Sequence, residues 1–267
     1  MVLVESLEEV QECYTGMIID FHTHIFNTRL KESRDEYLSQ DSCFQMLYSS
    51  PKAKMATADD LVTAMDQDGV DVSVALNFGW QRHELCVETN NYILESIARY
   101  PKRLVGFCAI QPSAGDKAIY EMERCARHGA KGIGELRPDA QGFNLKDRIV
   151  MAPVAEAAKK LGLIMLFHAS EPVGHEYKGK GQVTPEQLYS FISNFPGIPV
   201  VCAHWGGGLP FYALMPEVAL AFQNTYFDTA ATPLLYGPQI YKSVSDITGK
   251  EKILFGSDYP LLAPGRL

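Results

Sequence analysis

Eight short apolar runs recur along the chain at intervals of about 30 residues, and nothing else in the sequence constrains the fold so strongly. They begin near Met17 (MIIDF), Asp71 (DVSVAL), Leu104 (LVGFCAI), Lys131 (KGIGEL), Leu163 (LIMLF), Ile198 (IPVVCA), Thr225 (TYFDT) and Lys252 (KILFG). They are rich in Val, Ile, Leu and Phe and do not alternate cleanly with polar residues, which is how strands buried on both faces of a parallel sheet look in sequence. Helical patterns lie between them: 58–67 behind Thr57, 87–100 before Pro101, 117–128 before Gly129, 149–160 before Gly162, 185–195 opening on Thr184-Pro185, and 238–247. Strand, helix, strand with short links predicts right-handed βαβ units. Eight of them predict a parallel (β/α)8 TIM barrel. No GxGxxG follows the first run, which counts against a dinucleotide site.

The 267 residues suit one barrel domain, 1–267, rather than two smaller ones. The long gap between the first and second runs predicts an insertion over residues 27–56, carrying Phe44, Met46, Leu47 and Tyr48, that is either a surface excursion or a lid. LLAPGRL, after the last run, cannot form a helix, so the last helix is expected to be short or missing. A formal net charge of −8 argues against nucleic acid and anionic membrane surfaces as partners. The acidic N-terminus does not look like a signal peptide. Six cysteines without a CxxC pair are expected to be reduced thiols, which points to the cytoplasm.

In such barrels the functional groups sit at the C-terminal ends of the strands. The first run ends in DFHTH, and His22 and His24, two apart on a strand, point to the same side. Glu135 closes the fourth run, His168 the fifth, His204 the sixth and Asp258 the last. Any one of these is more simply a core histidine or a helix cap. Together, on one rim of one barrel, they predict a metal centre.

The motifs HTH, AHWGGG and FGSDYP, with the histidine at the end of the fifth run, resemble the amidohydrolase superfamily, and nearly the whole chain resembles its branch that contains the 2-amino-3-carboxymuconate-6-semialdehyde decarboxylases. The resemblance implies His22, His24, His168 and Asp258 as metal ligands. It also implies His204 as a catalytic group or second-metal ligand, and Glu135 at the position of a bridging carboxylate. One zinc ion is the expected cofactor, with manganese or a second ion as alternatives. A homodimer is a further implication of the resemblance.

On this basis the expected function is hydrolysis of a small molecule by metal-activated water. Asp258 would act as general base, and His204 would stabilise or protonate the oxygen on which charge develops. Arg137 could hold a substrate carboxylate, and Trp205 could wall the pocket or pack behind the site. Non-oxidative decarboxylation of a small acid at the same metal is the alternative, and phosphoester hydrolysis a more distant one.

Overall fold

The computed structural model describes residues 16–266, so Cys13 and the N-terminal stretch compared above with a signal peptide lie outside the described residues. Eight strands form one parallel sheet in sequential order: β1 (Ile19–His24), β2 (Val72–Leu76), β3 (Leu104–Cys108), β4 (Gly132–Leu136), β5 (Ile164–Phe167), β6 (Val200–Cys202), β7 (Thr225–Asp228) and β8 (Ile253–Leu254). The last strand returns to the first. Phe21 N–H donates to the Phe255 carbonyl at 2.7 Å, and His24 N–H to that of Tyr259 at 2.7 Å. This seam closes a (β/α)8 barrel. Its interior is filled by Val74, Leu76, Phe107, Leu166 and Val201 rather than left as a pore. Gly132 makes room there, since a Cβ at that position would lie 2.5 Å from the Phe107 ring.

The outer helices form where amphipathic spacing and capping agree. Ala58–Asp68 starts in a capping box between Thr57 and Asp60, buries Leu61 and Met65, and stops at Gly69 with φ 71°. Asp116–Arg127, Arg148–Leu161, Pro185–Asn194 and Gln239–Thr248 follow the sequence pattern to within a residue or so. His83–Arg99 begins a turn earlier than predicted because Leu85 and Cys86 extend its buried face. Among the described residues β8 is followed by no α-helix, only a 3-10 turn at Pro264–Arg266.

The insertion folds into three short helices, Thr28–Glu32, Arg34–Leu38 and Ser42–Tyr48. Asn27 caps the first by accepting from Leu30 N–H at 2.7 Å, and Asp41 caps the third by accepting from Phe44 N–H at 2.9 Å. Too short to be stable alone, they are held by a second apolar cluster in which Phe26, Leu30, Tyr37 and Phe44 pack on Phe78 and Trp80. This cluster stands over the C-terminal end of the barrel. Among the described residues no helix is long and apolar enough to cross a membrane, and the five described cysteines are buried and unpaired.

Candidate active site

The polar residues that close the strands converge inside the C-terminal rim. His22 and His24 project from β1 to one side, their Nε2 atoms 3.0 Å apart. Glu135 reaches them from β4. Its Oε2 lies 3.8 Å from His22 Nε2 and 3.7 Å from His24 Nε2, while its Oε1 faces the other way, 2.8 Å from His168 Nδ1 and 3.5 Å from His204 Nε2. Asp258 completes the ring from beyond β8, with Oδ1 3.4 Å from His24 Nε2 and 3.7 Å from His22 Nε2. Two sets of three donor atoms each fit within 4.8 Å of one another: His22, His24 and Asp258, and His22, Glu135 and His204. His168 is in neither set. It joins the site through Glu135, and its Nε2 faces the Ser170 hydroxyl at 3.1 Å.

The backbone around these groups explains their aim. Asp258 adopts φ 64°, a left-handed conformation that aspartate tolerates better than most residues. It is held there on two sides: its N–H donates to the His22 carbonyl at 2.9 Å, and Ser257, before it, is gripped by Asp20. Ser257 gives its N–H to Asp20 Oδ1 at 2.9 Å and its hydroxyl to Oδ2 at 2.5 Å. After β6 the chain turns left-handed for five residues, from His204 (φ 55°) to Gly208 (φ 92°). Gly207 is required there, because a Cβ would sit 2.5 Å from the Ser170 carbonyl oxygen. The glycine run is thus a tightly packed turn that anchors His204 against the β5 loop.

Asp228, at the end of β7, was not singled out from the sequence. It is fully buried, its Oδ2 lies 2.8 Å from His22 Nδ1, and its Oδ1 accepts the backbone N–H of His204 at 2.8 Å. A carboxylate can only accept, so Nδ1 of His22 carries a proton and Nε2 is the atom presented to the site. The signal was present, since TYFD ends in an acid at the same strand position as the groups on strands one, four, five, six and eight.

Without a cation, protons have to balance this charge. Burial would lower the His22 pKa, but Asp228, Glu135 and Asp258 outweigh it and raise it to about 10. His204 behaves likewise: burial opposes the charge, yet Glu135, Asp258 and Asp228 bring it to about 9. Burial pushes the Glu135 and Asp258 carboxyls up, but the histidines around them prevail and hold both below their ordinary range. Burial and the Arg137 guanidinium lower His168. Ring nitrogens facing each other at 3.0 Å beside ionised carboxylates form a donor set that can hold a divalent cation.

The site opens into a cavity of about 700 Å³ whose wall includes His24, Glu135, Asp258, Phe78, Leu234 and Leu261. Leu47, Tyr48, Ser50 and Lys52 of the insertion also face it. Arg137 lines the cavity although only 3% exposed. One of its Nη2 protons goes to the Gly179 carbonyl, Asp139 Oδ1 stands 3.5 Å from its Nε, and that Nε makes no hydrogen bond. Trp205 does not reach the cavity. It is fully buried behind His204, donates to Thr232 Oγ1 at 2.8 Å and packs edge-on against Tyr241, so of its two expected places it takes the one behind the site.

The amidohydrolase family profile matches residues 19–267. The chain belongs to the amidohydrolase family. Among members of known activity, this amidohydrolase is 24% identical to the 2-amino-3-carboxymuconate-6-semialdehyde decarboxylase of Dictyostelium discoideum, over 93% of this chain and 84% of that protein. It is 21% identical to the gamma-resorcylate decarboxylase of a Polaromonas strain, over 76% of each chain. In fold it is similar to the 5-carboxyvanillate decarboxylase of Novosphingobium aromaticivorans, crystallised with manganese and 4-hydroxy-3-methoxy-5-nitrobenzoic acid. That likeness has a TM-score of 0.75 at 15% identity and covers 94% of this chain and 89% of the other. These relatives overturn the expectation of a hydrolase, phosphoester hydrolysis included. All three are decarboxylases, so a metal-binding rim does not by itself imply attack by water.

Proposed function

We propose that this amidohydrolase is a cation-dependent, non-oxidative decarboxylase of a small aromatic or conjugated carboxylic acid. The observation that carries the reading is the opening of His24, Glu135 and Asp258, with His22 buried behind them, into a mainly apolar cavity with a buried arginine on its wall. The decarboxylase activities of its relatives support it.

His22, His24 and Asp258 would hold the cation, with Glu135 as a fourth donor and His168 supporting Glu135 from behind. Two imidazoles and two carboxylates without a thiolate suit manganese or zinc, and the manganese in the Novosphingobium relative favours manganese. When bound, the cation would supply a fixed positive charge next to the substrate's acidic oxygens.

The chain's own groups account for the rest. Arg137, whose side chain lines the cavity, is the group to hold a substrate carboxylate or its neighbouring oxygen. The apolar walls strip water from the carboxylate, which destabilises its charge more than that of the departing neutral CO₂. When the carbon–carbon bond breaks, its electron pair stays on the substrate carbon and has to be met by a proton. His204 is placed to deliver it: Nδ1 donates to the Ala230 carbonyl at 3.1 Å, leaving protonated Nε2 toward the cavity. Asp258 starts ionised, and is suited to hold charge at the site rather than to give the proton.

The test is CO₂ release by manganese-loaded protein from a panel of hydroxybenzoates and unsaturated dicarboxylates. Release from at least one acid that disappears on chelation is the expected result, and release from none overturns the proposal.

A further inference from the structure

Tyr48, the last residue of the insertion helix Ser42–Tyr48, stands on the cavity wall with the metal-binding rim. Its ring is locked in place, stacked on Phe44 at 4.9 Å and 26°, edge-on to Phe26 at 5.1 Å and tilted on Phe78 at 5.9 Å. Such packing leaves the ring little freedom and fixes where the hydroxyl lies. The hydroxyl makes no hydrogen bond with any described residue, although the half-buried phenol lies within electrostatic reach of Asp258 and Glu135. Burial first, then those carboxylates and Cys43, push it far above its ordinary pKa, so it remains a neutral O–H donor at any physiological pH.

Tyr48 is half-buried and lines the cavity, so its hydroxyl, which has no partner among the described residues, is free to bond with whatever occupies the cavity. Its neighbours on the wall, Leu47 and Phe78, offer no hydrogen bond. We infer that Tyr48 determines specificity by donating a hydrogen bond to an oxygen substituent of the substrate other than its reacting carboxylate, so that the preferred acids carry a hydroxyl or carbonyl group on the ring or conjugated chain. The inference rests on the decarboxylase reading for the carboxylate, but not for the oxygen contact. It also explains why the insertion is built as an aromatic stack: the stack positions one polar atom over the site.

The test is calorimetric binding of benzoate and of 2-, 3- and 4-hydroxybenzoate to manganese-loaded wild type and Tyr48→Phe, which keeps the ring and removes only the hydroxyl. Wild type is expected to bind its best hydroxybenzoate about tenfold tighter than benzoate. The variant should lose that preference while keeping its benzoate affinity. An unchanged preference in Tyr48→Phe, no preference in wild type, or loss of benzoate binding with the hydroxyl would each overturn the inference. CO₂ release is measured separately on the same acids. Tyr48-dependent binding without release sinks the decarboxylase reading and leaves this one standing, whereas release with the preference unchanged in Tyr48→Phe does the reverse.

Discussion

Asp228 Oδ2 lies 2.8 Å from His22 Nδ1 while its Oδ1 accepts the His204 backbone N–H at 2.8 Å, so a single buried carboxylate orients one ring and one turn of the site. Replacing it with asparagine keeps the shape and removes the charge that steadies His22. Asp228→Asn is expected to weaken manganese binding about 10- to 100-fold. Competition against a chromophoric chelator measures this, and an affinity equal to wild type would show that Asp228 only fills space.

Protons and cation compete for His22, which gives two opposite pH trends. With its pKa raised from 6.5 to about 10 in the cation-free protein, His22 is protonated at neutral pH, and cation binding has to release that proton. Manganese affinity should therefore rise with pH, by up to about tenfold per unit for each proton released. The stability of the cation-free protein runs the other way. A group raised on folding contributes fully below its unfolded value near 6.5, and its contribution is lost as pH climbs toward about 10. Melting of chelator-treated protein from pH 6 to 10 should show that fall, and a flat curve would contradict the charge balance.

Arg137 holds the Gly179 carbonyl, stands beside Asp139 and lines the cavity. Lysine there keeps the charge but loses the planar fork. Arg137→Lys is expected to raise KM for aromatic acids about 10- to 100-fold with a smaller change in kcat. Steady-state kinetics decide between this and a purely loop-tying role, which would leave KM unchanged and make the segment around Gly179 more sensitive to protease.

Gly207 tests the turn behind His204. At φ 59°, with the Ser170 carbonyl oxygen 2.5 Å from any added Cβ, Gly207→Ala has to move backbone on one side or the other. A loss of at least about 1–3 kcal/mol in stability is expected, with activity reduced further because His204 moves with the turn. Chemical denaturation gives the first number, and a variant as stable as wild type would mean the turn is looser than described.

The barrel could be read from the sequence because its strands are buried on both faces and its helices carry their own stops. Thr57 and Gly69 bound one helix as clearly in sequence as in space. The rim residues could also be read, since histidines and acids are conspicuous at the ends of apolar runs. Asp228 was overlooked because it touches His22 rather than the cavity, and sequence spacing does not show which acids stand behind others. The two-sided placement of Glu135, with His168 on one oxygen and the HxH pair on the other, depends on strand tilt and side-chain rotamers. Hydrolysis and decarboxylation call on the same ligands, so the rim alone could not separate them. The three insertion helices were hidden for another reason: their stability comes from Phe78 and Trp80, which lie far away in sequence.

Asp20 and Ser257 are 237 positions apart, yet their hydrogen bonds help hold the seam where β8 meets β1. His22, His24 and Asp258 all lie along this join. During synthesis the two histidines are made more than 230 residues before the carboxylate they face, so the full donor set comes together only once β8 has joined β1. A cation captured there would act as a non-covalent staple between β1 and β8, tightening contacts of very high sequence separation and slowing their opening.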